Sequence, residues 1–369
     1  MLATSPAAAD LGEQPKVTLA SLQAGRAVAA LLVVLFHVTA SISAAPKYGQ
    51  HAPLGGFFSF GHAGVEFFFV LSGFVILHVH WQDIGCPQVA ASYAWKRIRR
   101  IYPLYWAIFL PVAGSYLVLP NSGEPAFRSL DVILSSFLLV HWGTDVTILY
   151  VAWTIYHEVL FYALFVLLIL NRRVGIVAFV AWLLASLVAL ATHAPFPWEF
   201  WISPLHLLFA MGMCVAWRLR HGSLPFAATT TVAGILLFVS VGIDEDYFGV
   251  LGSSAGRLLY GLGSAMALAG LVSLERDGRI RTPGAVRLIG DSSYSIYLVH
   301  LPVLSLLAAL RLQARLFEMV PATVSFVLLA VLAVLPGILV HFVLERPLLR
   351  LLGRRRRGPV IAPRRAFVG

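Results

Sequence analysis

Long apolar runs recur along this chain, near residues 20–43, 62–80, 101–119, 152–170, 174–192, 203–217, 224–242, 257–274, 291–310 and 321–344. They approach the roughly 20 residues that a bilayer-spanning helix needs, and polar residues collect between them. The pattern predicts an all-α fold, a polytopic membrane helix bundle of about ten transmembrane helices. One more run, DVILSSFLLVHW at 131–142, is only about a dozen residues long. That length suits an interfacial or re-entrant piece, so it is not counted as a span.

Composition agrees. Hydrophobic residues make up 59% of the chain and charged residues 12%, against about 45–50% and about 25% in soluble domains. Ten helices leave no stretch long enough for a separate soluble domain, so function is expected within the bundle and its loops. Residues 1–18 are Ala/Pro-rich and lack the basic-then-apolar order of a signal peptide. They are expected to form a disordered cytoplasmic N-terminus, followed by a transmembrane domain over 19–347 and a basic cytoplasmic tail over 348–369.

The basic residues set the orientation, because Lys and Arg concentrate in cytoplasmic loops. With both termini cytoplasmic, 22 of the 27 basic residues fall inside, and only Lys47, Arg128, Arg257, Arg311 and Arg315 fall outside. The net charge of +10 is then a topology signal with an anionic-lipid component, not a nucleic-acid signature. Cys86 and Cys214 show no metal-ligand spacing, and a reducing compartment argues against a disulfide. The histidines have no metal-binding motif either, so no metal is expected.

Ionisable residues inside the apolar runs carry the chemical information, since charge in a bilayer is costly and usually functional. Arg26 and His37 sit in the first run. Eleven residues at 100° each return to within about 20° of the starting direction, so the two share a helix face about 16 Å apart along the axis. Arg26 has a second reading, a side chain that snorkels to the headgroups. His37 lies too deep for that and points to a polar cavity.

Four more groups stand out. Glu66 enters the aromatic run GHAGVEFFFVLSGFVI, either as a solvated helix-start carboxylate or as a site residue; Gly61, Gly64 and Gly73 there permit close helix contact. Arg97 and Arg100 precede IYPLYW and suit either positive-inside anchoring or the phosphates of a cytosolic donor. Glu158 lies about one turn into the fourth span, with Tyr162 at i+4 on the same face and able to hydrogen-bond it. Tyr294, Tyr297 and His300 form a polar stripe on the ninth span. Glu345 and Arg346 before Pro347 read as a charge pair and a helix stop.

Together these residues resemble the acyltransferase 3 family of integral-membrane enzymes. The likeness runs in order through Arg26 with His37, GVEFFFVLSGF at 64–74, Arg97 and Arg100 before IYPLYW, WTIYHEVLFY at 153–162 and SYSIYLVH at 293–300. LQAGRAVAALLVVLFH is similar to the branch that acetylates exopolysaccharide. Where many members carry an Asp two residues before a Gly-Leu-Arg turn, this chain has Gln23-Ala24-Gly25-Arg26, so no carboxylate role carries over there. The hydrolase-like domain that some relatives append has no counterpart, so the bundle or a partner protein is expected to handle the acceptor.

The resemblance implies transfer of an acyl group, most often acetyl, from cytosolic acetyl-CoA or another acyl-CoA to a hydroxyl of a polysaccharide or lipid-linked sugar, in the bacterial inner membrane. O-acylation needs a base for the acceptor hydroxyl, commonly His. His37 is assigned as general base, or else as a transient acyl carrier. Glu158 would orient or charge-balance it. Arg26 would stabilise the oxyanion or contact the CoA pyrophosphate. Arg97 and Arg100 would bind the donor, while Glu66, Tyr162, Tyr297 and His300 are acceptor-binding or supporting candidates. Two other readings stay open: a transporter or flippase of lipid-linked saccharides that uses the buried groups as a proton relay, and a non-catalytic assembly subunit.

Overall fold

The structure is a computed structural model that describes residues 19–45, 53–119, 123–141, 143–192 and 195–353. The expected N-terminal segment 1–18, Lys47, Trp142 and the tail beyond 353 lie outside the described residues.

Among the described residues fifteen α-helices follow one another: α1 (Ala20–Ser43), α2 (Gly64–His80), α3 (Ala90–Val118), α4 (Leu130–Leu138), α5 (Trp153–Leu170), α6 (Arg172–Val188), the single turn α7 (Trp198–Trp201), α8 (His206–Arg220), α9 (Ala227–Ile243), α10 (Ser253–Arg276), α11 (Gly284–Asp291), α12 (Ser293–Ala309), α13 (Leu312–Met319), α14 (Ala322–Val340) and α15 (Arg346–Gly353). Among the described residues there is no strand. Eight helical segments among the described residues are long and apolar enough to cross a membrane, and a ninth appears when α11 and α12, bent by 66°, count as one span. The remaining apolar run, 174–192, is α6, whose 17 residues sit at the short end of spanning length.

The bundle turns apolar side chains outward as well as inward. Val177, Val180 and Leu184 on α6 are exposed, as are Val232 and Leu236 on α9 and Val331, Leu335 and Leu339 on α14. An apolar surface of this extent belongs against lipid tails.

α1 occupies the middle, packed against α2, α10, α11, α12 and α14. Leu19, at its N-cap, offers no side-chain acceptor. The carboxylate of Glu275, at the end of α10, takes over: Oε1 accepts the Ala20 N–H at 2.7 Å and Oε2 the Ser21 N–H at 2.8 Å. Two orphan donors and the positive end of the helix dipole are thereby satisfied from 255 and 254 residues away. α2 and α8 cross with backbones in contact, because a Cβ at Gly73 would strike the Phe209 carbonyl and one at Gly212 the Val70 carbonyl. Small residues are what allow so close an approach.

Within the run at 131–142 the helix α4 ends at Leu138 and is only nine residues long, too short to span. Its last carbonyls would be orphaned in an apolar setting. Three aromatic donors from IYPLYW on α3 satisfy them: Tyr102 OH to Leu138 O at 2.9 Å, Tyr105 OH to Ser136 O at 2.7 Å and Trp106 Nε1 to Phe137 O at 2.9 Å.

Two helix ends differ from the sequence expectation. α3 starts at Ala90, eleven residues before its apolar run, and carries Arg97 and Arg100 within the helix. Hydropathy marks only the part of a helix that faces lipid, and this one continues into a polar end. Pro347 does not stop the last helix. α14 passes through a π turn, His341–Glu345, into α15, where Pro347 is the second residue. The π turn just before it takes up the break in the hydrogen-bond ladder where its N–H is missing.

Leu22 and Gln23 near the start of the described chain and Leu349 near its end line one cavity. The two ends of the described chain therefore meet at the same end of the bundle, with Lys96, Arg97, Arg99 and Arg100, hereafter the basic end.

Candidate active site

Two cavities enter the bundle from opposite ends. The cavity at the basic end has a volume of about 520 Å³ and is walled by Gln23, Arg26, Ser72, Lys96, Arg97, Arg99, Arg100, Glu158, Tyr162, Tyr294 and Tyr297 among others. The other, about 420 Å³, is lined by His37, His62, Glu66, Tyr150, Trp153, Asp244, Glu245, Arg257 and Tyr260, and again by Tyr297. Val65 and Tyr297 contribute to both walls. Tyr297 is held there by its hydroxyl, which donates to Val151 O at 2.9 Å and lies 2.8 Å from Thr154 Oγ1.

At the basic end each cation has its own setting. Arg97 stacks over the rings of Tyr93 and Tyr162, 5.6 Å to each centroid. Its guanidinium also meets His80 Nε2 at 3.4 Å. Asp83 Oδ2 lies 2.6 Å from His80 Nδ1, and a carboxylate there can only accept. That fixes the proton on Nδ1 and leaves Nε2 to accept from Arg97. Arg100 lies over Tyr294, 5.4 Å from the ring centroid, and is paired with Glu345. Arg26 leaves Nε without a hydrogen-bond partner, as does Arg97. Cations that line a cavity with donor groups still unpaired form an anion-binding surface.

Glu158 takes hydrogen bonds from Ser72 Oγ at 2.9 Å and from Tyr162 OH. The i+4 contact with Tyr162 was legible in the sequence. An orienting contact with His37 was also expected from Glu158, and the geometry differs: Glu158 faces the cavity at the basic end and His37 faces the other. Arg26 and His37, although on one face of α1, are likewise divided between the two cavities. Eleven helical positions separate them axially, and Val65 and Tyr297 stand at the boundary that the two cavities share.

The group that meets His37 is His300, whose Nε2 lies 3.2 Å from His37 Nδ1. His37 Nδ1 is also 2.9 Å from Val33 O, and His300 Nδ1 is 3.1 Å from Ile296 O. Each carbonyl can only accept, so each Nδ1 carries its proton. His300 Nε2 then accepts from His37, and His37 Nε2 is left with a free lone pair. This is the tautomer a general base requires.

Glu66 is buried, 1% exposed, with Arg257 3.8 Å from its Oε1. The reading of a solvated helix-start carboxylate is thereby excluded. Gly64 seats this turn against α1, since a Cβ there would meet the Ala29 carbonyl. Glu345 pairs with Arg100 and accepts from Ser295 Oγ and His341 Nδ1, each at 2.7 Å, while Arg346 lies over Phe342. The expected Glu345–Arg346 pair is thus replaced by one that ties the π turn after α14 to α3. Sequence reasoning missed Asp83, His80, Ser72 and Arg257. Only the His80–Asp83 i,i+3 spacing was visible in one dimension. Among the described residues no cluster of three His, Cys, Asp or Glu has metal-ligand geometry.

Residues 19–344 match the family described as an acyltransferase domain. The chain is 33% identical over 336 residues to the exopolysaccharide production protein ExoZ of Rhizobium meliloti, an alignment that covers 88% of this chain and 96% of that protein. It is 26% identical over 329 residues to the acyltransferase MdmB of Streptomyces mycarofaciens, covering 80% of this chain and 83% of that protein. No solved structure matches.

Proposed function

This chain belongs to the acyltransferase 3 family, and from that premise we propose that it is a bacterial inner-membrane O-acyltransferase. It moves an acyl group, acetyl in the first instance, from acyl-CoA to a hydroxyl of an exported polysaccharide or lipid-linked sugar. The observation that carries this reading is the pair of cavities that share Val65 and Tyr297, with the arginines in one and His37 in the other. The exopolysaccharide role in the name of ExoZ supports a carbohydrate acceptor.

The basic end faces the cytosol by the positive-inside rule. Arg26, Arg97 and Arg100 bind the donor phosphates, with Glu158 balancing their charge. The thioester reaches toward Tyr297 while the acceptor enters from the opposite side. His37 Nε2 takes the proton of the acceptor hydroxyl as its oxygen attacks the thioester carbonyl. The new C–O bond forms, the C–S bond breaks, and the proton passes from the imidazolium to the departing thiolate. Base catalysis of this kind contributes about 10²- to 10⁴-fold.

A purified His37→Ala protein is expected to bind acyl-CoA as wild type does and to transfer nothing to the polysaccharide. Full transfer by that variant would overturn the mechanism. In cells, loss of the gene should remove ester groups and leave the polymer; loss of the polymer itself would point to a flippase, and an intact phenotype for His37→Ala to a non-catalytic subunit.

A further inference from the structure

Three carboxylates line the cavity that holds His37, and they differ in what remains free. Glu245 is engaged at both oxygens: Oε1 lies 2.9 Å from His62 Nε2, and Oε2 accepts from Tyr260 OH at 2.6 Å. Asp244 Oδ2 accepts the Leu251 N–H at 2.8 Å. Glu66 Oε1 is offset by Arg257 at 3.8 Å, while its Oε2 has no hydrogen-bond partner among the described residues. The residue is 1% exposed, and a buried carboxylate oxygen without a donor is costly. Arg257 neutralises the charge and leaves the acceptor capacity unspent, in the wall of a cavity of ordinary small-ligand size.

The missing partner is a hydrogen-bond donor that arrives through the cavity. A lipid alcohol brings one hydroxyl, which the attack at His37 consumes. A sugar unit brings several, and the rings of Tyr150 and Trp153 in the same wall supply amphipathic faces against which it can lie. Resting on the acyl-transfer reading, we infer that Glu66 is the acceptor-binding residue. Its Oε2 accepts a hydrogen bond from one hydroxyl of a sugar unit while His37 takes the proton of another. The preferred acceptor is accordingly a polyhydroxylated sugar rather than a simple alcohol.

The test uses the full-length purified protein, acetyl-CoA, and polysaccharide recovered from cells that lack the gene, with wild type compared to Glu66→Gln and Glu66→Ala. A lost hydrogen bond to a charged acceptor should raise KM for the polysaccharide roughly tenfold to a hundredfold in Glu66→Ala. Glu66→Gln should raise it less, because the amide oxygen still accepts. Little change in kcat is expected, as for lost uniform binding, and an unchanged Kd for acetyl-CoA would certify the fold. Unaltered acceptor KM in both variants would overturn the inference. A fall in kcat at constant KM would place Glu66 in the chemistry instead, and loss of acetyl-CoA binding would make it structural; either result refutes the binding role. Wild-type protein that esterifies no hydroxyl of this polymer would overturn the acyl-transfer reading itself, and this inference with it.

Discussion

His300 Nε2 lies 3.2 Å from His37 Nδ1, across 263 residues of chain. The pair occupies the place that a carboxylate–histidine contact takes in many bases, with a neutral imidazole as the orienting partner. When His37 becomes imidazolium, the hydrogen bond to His300 becomes one to a charged group and strengthens. His300→Ala is therefore expected to lower kcat roughly tenfold to a hundredfold with acyl-CoA affinity unchanged. His300→Gln should recover part of the loss, because its amide oxygen can still accept. Equal kcat in His300→Ala and wild type would show that the dyad has no part in the reaction.

The arginines at the basic end should not behave alike. Arg97 stacks on two tyrosines and leaves Nε unpaired, so Arg97→Ala should weaken acyl-CoA binding by about 1.5–3 kcal/mol while the protein stays folded. Arg100→Ala also strands Glu345, 1% exposed, and should cost stability in addition to affinity. Calorimetric titration with acyl-CoA and thermal unfolding in detergent would separate the two. Identical stability of both variants would mean that the Arg100–Glu345 pair does not brace α3 against the π turn that follows α14.

Glu275 closes the N-terminus of α1 from the end of α10. Replacing it with Ala leaves two helix N–H groups without acceptors, a loss of about 1–2 kcal/mol. The expected result is a lower Tm, with Glu275→Gln intermediate because one acceptor remains. An unchanged Tm in Glu275→Ala would show that water caps the helix equally well.

Orientation follows from the clustering of basic residues. In whole cells, with Cys86 and Cys214 first replaced, a membrane-impermeant thiol reagent should label Asp246→Cys and spare Arg355→Cys. The reverse pattern would place the donor cavity on the outer side and exclude cytosolic acyl-CoA as its ligand.

Much of this protein is written along one dimension. The apolar runs announce the helices, because a bilayer accepts little else that is lipid-exposed. The concentration of arginines between alternate runs separates one end of the bundle from the other. Contacts within a helix follow from its period: Glu158 and Tyr162 meet at i+4, and Tyr294, Tyr297 and His300 descend one face of α12 from the basic cavity, past the dividing wall, to His37. Tertiary structure alone decided the rest. Arg26 and His37 share a face, yet the depth of each cavity and the position of Tyr297 assign them to different chambers. Glu66 finds Arg257, Glu345 finds Arg100 and His37 finds His300 across most of the chain. These choices depend on which way each helix is rotated against its neighbours. Lipid-facing and core-facing surfaces are both apolar in this bundle, so hydrophobicity does not encode that rotation; it is set by small-residue contacts such as Gly73 with Phe209 and by pairing of buried polar groups.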